Sequence, residues 1–178
     1  SNRHLHLSQE DLEILFGAGY ELTNIKDLTQ PGQFACKETV QVVGVKGLIE
    51  MRVLGPVRKE TQVELAQTDA RKIGIKAPVR ESGDLDGTPG AVLVGPKGAV
   101  IMKKGCIVAA PHVHLHTSQG KELGLADKDR VDLYIQGEHK AMILQDVVVR
   151  VGDNYEMDIH LDTDEANAAR VPSGGRAL

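Results

Sequence analysis

Short runs of aliphatic and β-branched residues recur along this chain, and glycine-rich turns separate them. Val40-Gln41-Val42-Val43, Ala91-Val92-Leu93-Val94, Ala99-Val100-Ile101-Met102, Val131-Asp132-Leu133-Tyr134-Ile135 and Val147-Val148-Val149-Arg150-Val151 are the clearest, in a sequence with 19 glycines. Segments this short are stable only when paired into larger sheets. The spacing therefore points to small barrels or sandwiches. The helices are short as well. Ser8 with Asp11 has the pattern of a capping box that opens a helix from Gln9 to Phe16, with Leu12, Leu15 and Phe16 on one face and Gly17 as its stop. Asp162 with Glu165 repeats the pattern and opens a helix over residues 163–170. Residues 120–125 form a weaker helical turn. Residues 124–131 read as a helix-to-strand turn, and 81–90 as a loop of several turn formers. The polar tail after Arg170 is expected to be mobile.

Two His-x-His pairs, His4-Leu5-His6 and His112-Val113-His114, each lie in a strand-like stretch ahead of a helix-like one. On a strand, residues i and i+2 share a face, so both rings of a pair can reach one metal ion; on a helix they diverge. His160, in Asp158-Ile159-His160-Leu161-Asp162, has a similar setting. The arrangement reads as a loose internal repeat that builds a metal site twice. Neutral imidazole without a thiolate cluster suits zinc, with cobalt, nickel and iron as other occupants. Two or three histidines per site, with one carboxylate, favour an open coordination position over a closed structural one. His116 points with the second pair on an ideal strand and is the first candidate for a bystander. His139, in a polar turn, is read as solvated surface.

At 178 residues the chain suits one large domain or two small ones. Aromatic residues make up 3%, tryptophan is absent and the net charge is -4. Neither base-stacking platforms nor a basic footprint for nucleic acid is present. Two cysteines, Cys36 and Cys106, are too few for a disulfide scaffold and fit a reducing compartment. Neither has a nucleophile motif around it, and both are expected to be buried thiols. No apolar run approaches the roughly 20 residues of a membrane span, and no signal peptide is visible. The opening Ser1-Asn2, without Met, is expected to be a trimmed N-terminus.

Two further segments carry candidate chemistry. In the run from Val53 to Glu64, Gly55-Pro56 bends the chain, Arg58 follows, and Gln62-Val63-Glu64 alternates like a strand. Arg58 could fork onto a phosphate or carboxylate, and Glu64 could complete a metal's coordination. The plainer reading is a surface turn with a charged edge strand. Asp162-Thr163-Asp164-Glu165-Ala166-Asn167 suits a helix N-terminus and could also orient a polar ligand.

Arg3-His4-Leu5-His6-Leu7-Ser8, Val53 to Arg58 with Thr61-Gln62-Val63-Glu64, Ser82-Gly83-Asp84, Ala110-Pro111-His112-Val113-His114, and His160 through Ala168 occur in this order. Together they resemble the PduL-type phosphate acyltransferases over nearly the whole chain. The resemblance implies a mainly β fold of two small β-barrel domains with short capping helices. It implies reversible acyl transfer between coenzyme A and inorganic phosphate, with two zinc ions. One metal would be held by His4, His6 and Glu64, the other by His112, His114 and His160. Arg58 matches the phosphate-binding arginine, and Arg52 and Asn167 fall in motifs expected near CoA. The first barrel region would cover residues 1–108 and the second 109–178, both contributing to one active site and free to exchange strands. Acyl-CoA, CoA, phosphate and acyl phosphate are the implied partners, with neither nucleic acid nor membrane. A homodimer in the cytoplasm is implied too, with a bacterial microcompartment as a second address and propanediol degradation as its setting. One departure stands out: Pro111 occupies the place where the family usually has Arg, which removes a charge and a backbone donor. The strand or targeting helix that can precede the first pair in the family is not in this sequence. The rival readings are a zinc-dependent thioester hydrolase, with water in place of phosphate, and a non-catalytic metal-binding scaffold.

Overall fold

The computed structural model describes residues 3–137 and 139–171. It is mainly β, with four short helices among the described residues. Its chain divides into two compact units, residues 3–28 with 32–109, and residues 29–31 with 110–171.

The first unit carries β1 (His4–His6), α1 (Gln9–Phe16), β2 (Asn24–Asp27), β3 (Phe34–Gly44), β4 (Gly47–Gly55), β5 (Gln62–Glu64), α2 (Gln67–Ile73), β6 (Val79–Arg80), β7 (Val92–Val94), β8 (Ala99–Ile101) and β9 (Cys106–Ala109). They form one strongly curled half-barrel sheet in the order β6-β9-β5-β1-β4-β3-β7-β8, with β2 paired on β3. Alternation along β4 puts Ile49, Met51 and Val53 inward, where they meet Leu5, Val42, Val63 and Leu93. The three-residue β1 is central: it runs parallel to β4 on one side and antiparallel to β5 on the other. Buried on both faces, it has no solvent side. Helix α1 buries Leu12, Leu15 and Phe16 as its sequence period requires. Its C-terminal end lies against the β7–β8 turn, where Lys97 N–H donates to Leu15 O at 3.0 Å. A side chain at Gly95 would place its Cβ 2.6 Å from that same carbonyl oxygen, so only glycine fits there.

The second unit carries β10 (His112–Leu115), α3 (Thr117–Leu123), β11 (Arg130–Gly137), β12 (Lys140–Val151), β13 (Asp158–His160) and α4 (Thr163–Ala169). Its sheet has the order β11-β12-β10-β13. The core is smaller, with Leu133, Ile135, Val147 and Ala169 at its centre. Strand β10 repeats the situation of β1: parallel to β12 on one side, antiparallel to β13 on the other.

The helix signals resolve unevenly. Asp162 and Glu165 form a full reciprocal box at α4, and Arg170 caps its other end. At α1 the box is indirect. Ser8 Oγ accepts from Asp11 N–H at 3.2 Å, but the Ser8 amide donates to Thr61 Oγ1 at 2.9 Å, and that hydroxyl in turn donates to Asp11 Oδ2. Thr61 is thus inserted into the box and ties α1 to the approach of β5. The weak turn expected at residues 120–125 is a corrected reading: α3 begins at Thr117, because the His116 ring accepts from Ser118 N–H and Gln119 reaches back to the His116 amide. Helix α2 was not anticipated, since Ala66 at its N-cap offers no side-chain acceptor. The loop at 81–90 is present. The tail expected to be mobile lies, beyond Val171, outside the described residues.

Thr61→Val keeps the shape of the side chain but leaves the Ser8 amide and the Asp11 carboxylate without their shared hydroxyl. Urea denaturation should show a loss of about 1–3 kcal/mol; a midpoint equal to that of the parent chain would remove the relay from the structure's supports.

Candidate metal centres

In each unit the central strand supplies two imidazoles and its antiparallel neighbour supplies a third group. His4 lies directly opposite Glu64 in the β1–β5 register, and His6 opposite Gln62. His112 lies directly opposite His160 in the β10–β13 register, and His114 opposite Asp158. Residues directly across an antiparallel pair have their Cα atoms about 4.5–5.5 Å apart. The i, i+2 pair and its cross-strand partner therefore converge on one face. In both trios, His4-His6-Glu64 and His112-His114-His160, the candidate ligand atoms all lie within 4.8 Å of one another.

The first trio is buried. His4 Nε2 stands 3.4 Å from Glu64 Oε2, and the His4 and His6 rings meet edge to face at 5.1 Å. His6 Nδ1–H donates to Leu54 O at 3.1 Å, which fixes the tautomer and leaves Nε2 as its donor atom. Glu64 is held by the Gln62 amide and by Ser82 Oγ at 3.1 Å. The same Ser82 hydroxyl accepts from Gln62 Nε2 at 2.8 Å and from Arg58 Nη1 at 3.2 Å. Gly83 N–H closes the bracket by donating to Gln62 Oε1 at 2.8 Å. Arg58 reaches this place through its backbone, since its N–H donates to Leu7 O at 2.9 Å just beyond β1. Burial, then the Arg58 guanidinium and His4, pushes the His6 pKa down to about 3. Burial alone would raise the Glu64 carboxyl; His4, His6, Arg58 and the Ser82 hydroxyl outweigh it and hold Glu64 below the usual carboxylate range.

In the second trio, His112 and His160 stack at 4.7 Å and 12°, and His114 makes a T-shaped contact with each, at 4.8 Å to His112 and 4.7 Å to His160. His112 Nδ1–H donates to Ala110 O at 2.9 Å. Asp158 Oδ2 stands 3.5 Å from His160 Nε2. Burial, then His112, His160 and Arg150, pushes the His114 pKa down to about 3. His114 Nδ1 is buried without a hydrogen-bond partner among the described residues. A buried polar atom left in that state is costly, and a cation supplies what it lacks. Three imidazoles here, and two imidazoles with an ionised carboxylate in the other unit, are donor sets that suit a divalent transition metal such as zinc.

The other residues singled out from the sequence stand apart from the trios. Arg52 is paired with His4 in the β1–β4 register, but its guanidinium donates to Cys36 O. Asn167 is exposed on α4. His116 is the helix cap described above, and His139 is exposed in the β11–β12 turn. Cys36 and Cys106 are fully buried, and burial raises their thiols to about 11 and about 12. Sequence reasoning passed over the individual roles of Gln62 and Ser82 as partners of Glu64, and over Tyr155, whose ring stacks on His114 at 4.4 Å. The motif around Gln62 and Ser82 was visible, but nothing in it indicated that both hold one carboxylate.

A family model described as phosphate propanoyltransferase matches residues 1–172. The chain belongs to the phosphate propanoyltransferase family. It is 54% identical over 175 residues to the phosphate propanoyltransferase of Thermotoga maritima, covering 98% of this chain and 83% of that one. It is 45% identical over 177 residues to the protein of the same name in Listeria monocytogenes, covering 99% and 83%. With that of Lachnoclostridium phytofermentans the identity is 47% over 176 residues, covering 98% and 82%. This family member is a phosphate acyltransferase, with acyl-CoA or CoA and phosphate as its substrates. No helix among its described residues is long and apolar enough to cross a membrane.

The depressed histidines give the fold of this phosphate acyltransferase a pH dependence with a definite sign. His6 and His114 stay neutral in the folded chain down to about pH 3, whereas unfolded they protonate near 6.5. The unfolded state therefore binds more protons between those values, and stability falls as pH drops through that window. Urea denaturation of the chelator-treated chain at pH 7.5 and 5.5 should show a loss on the order of 1 kcal/mol for each of the two histidines. His114→Leu should remove about half of that difference, and an unchanged slope in the variant would exclude His114 as its source.

Proposed function

We propose that the reaction is direct phosphorolysis of a short acyl thioester, assisted by two zinc ions. One ion would be held by His4, His6 and Glu64, the other by His112, His114 and His160, with both serving the same reaction. The observation that carries this reading is the placement of Arg58 beside the first trio, linked to Glu64 through the Ser82 hydroxyl. A permanently charged guanidinium next to a candidate metal centre suits a polyanion, and in a phosphate acyltransferase that anion is phosphate. Bound zinc would supply Lewis-acid charge for the carbonyl oxygen and for the departing sulfur.

A phosphate oxygen attacks the thioester carbonyl carbon, the carbon–sulfur bond breaks, and CoA leaves as thiolate while the acyl group departs on phosphate. Arg58 holds and orients the phosphate, and positioning of this kind lowers a bimolecular barrier by several kcal/mol. An acylated cysteine has no support: both thiols are fully buried and their pKa values are raised. Thiolate, not thiol, is the nucleophilic form. Arg52 and Asn167 are carried as CoA contacts on the family resemblance. Homodimerisation, cytoplasmic residence and a microcompartment as second address rest on that resemblance alone.

CoA release from acetyl-CoA and propanoyl-CoA, with phosphate varied, tests the chemistry. Release should require phosphate and yield an acyl phosphate; equal release without phosphate would mean hydrolysis instead. Arg58→Ala should raise the KM for phosphate by one to two orders of magnitude, as loss of a charged hydrogen bond worth roughly 1.5–3 kcal/mol implies, while thermal stability changes little. Retained phosphate dependence in that variant would take Arg58 out of the reaction. Chelation should abolish turnover and zinc should restore it; full turnover in a chain shown by elemental analysis to be metal-free would end the two-metal reading.

A further inference from the structure

Three histidines that could hold a metal are fixed in different ways, and the difference singles out Tyr155. A ligating imidazole ordinarily has its second ring nitrogen on a carbonyl, a carboxylate or water, which sets its tautomer and orientation. His6 has Leu54 O at 3.1 Å, and His112 has Ala110 O at 2.9 Å. The His114 ring makes no hydrogen bond to a described protein group and its Nδ1 is buried, so whichever ring nitrogen meets the metal, the other has no carbonyl to set it. What His114 has is the Tyr155 ring, stacked at 4.4 Å and 20°, whereas His112 and His160 both meet His114 in T-shaped contacts.

The segment that delivers Tyr155 is held from several directions. Gly152 N–H donates to Leu115 O at 3.1 Å, which ties the start of the loop to the residue after His114. Tyr155 N–H donates back to Gly152 O at 3.3 Å. A Cβ at Gly152 would stand 3.1 Å from the tyrosine ring, so the absence of a side chain there makes room for the stack. On the far side Gln30, only 3% exposed, grips the backbone of Glu156 at both ends: its Nε2 donates to Glu156 O at 2.9 Å, and its Oε1 accepts from Glu156 N–H at 3.3 Å. A buried side-chain amide that imitates a strand partner for a single loop residue is an expensive device for a loop of no consequence.

We infer that Tyr155 is a positioning residue of the His112-His114-His160 centre, orienting the His114 ring by stacking where His6 and His112 use a carbonyl, and that Gln30 holds it there. The inference rests on the reading of this trio as a metal site. Zinc affinity measured by competition with a chromophoric chelator tests it, with His160→Ala marking which zinc equivalent belongs to this trio. Tyr155→Leu should weaken that equivalent by about 10–100-fold, the range expected when a partner of a metal ligand is lost. Tyr155→Phe, which keeps the ring, should bind as the parent does. The visible absorption of the cobalt-loaded chain should change in Tyr155→Leu and not in Tyr155→Phe. The protein has three tyrosines and no tryptophan, so tyrosine emission provides a second measurement in folded protein. Zinc should alter the emission of the parent chain, and Tyr155→Phe should lose that response. Should Tyr155→Leu fail to fold, Gln30→Ala leaves the ring in place and should weaken the same equivalent in the same direction. Lowered thermal stability with unaltered zinc affinity and cobalt spectrum would make Tyr155 mere packing and overturn the inference. A parent chain that binds no zinc would instead overturn the metal reading itself, and this inference with it.

Discussion

A strand of three or four residues, inserted between a parallel and an antiparallel neighbour, is the constraint on which both centres depend. Strand geometry brings i and i+2 onto one face, but two imidazoles do not complete a site. The antiparallel partner must present its group directly opposite the first histidine, and it does so in each unit: Glu64 across from His4, His160 across from His112. A slip of one residue in either register would turn the partner's side chain to the other face. For β1 that slip is opposed by Leu5, fully buried between the histidines, and by Val63 opposite it, also fully buried. The apolar core therefore sets the register, and the register sets the geometry of the candidate ligands.

The two centres share a scaffold and differ in charge. The first contains an ionised Glu64 and sits beside Arg58; the second consists of imidazoles, with Arg150 as the cation acting on His114. Arg58 has two effects in the first centre. Its charge opposes protonation of His6, and it helps keep Glu64 ionised. Both effects favour the ligand forms a divalent metal needs, since imidazole must be neutral and carboxylate charged to coordinate. A residue assigned to phosphate thus also conditions the ligands next to it. The Ser82 hydroxyl, donor to one group and acceptor from the other, carries that coupling as a hydrogen bond.

What the sequence disclosed was local. Period-two spacing within each His-x-His pair, the short β-branched strands, and the Ser8 and Asp162 caps all read correctly because each depends on residues a few positions apart. Glu64 and His160 stood out as candidates from their own settings, but their assignment to particular pairs came from the family resemblance, since the register that brings Glu64 to His4 joins positions sixty apart and no local pattern encodes it. The repeat explains the misplaced third helix. Two residues after His6 stands Ser8, the cap of α1; two residues after His114 stands His116, the cap of α3. Histidine is not among the residues favoured at that position, so the signal was missed although the place in the repeat predicted it. Helix α2 was missed for the converse reason, an alanine cap that gives no side-chain signal. Tyr155 was invisible because its role lies in the ring it stacks on and in Gln30, far away in sequence.

Pro111 can be weighed in the same physical terms. It precedes β10 directly, and its carbonyl accepts from Val148 N–H at 3.1 Å, continuing the parallel ladder with β12. Proline cannot donate to a ladder and is tolerated at the start of a strand. The β10–β12 register runs without a shift from His112 to Leu115, and His112 still finds Ala110 O two residues back. The missing donor therefore does not disturb how the second pair is presented.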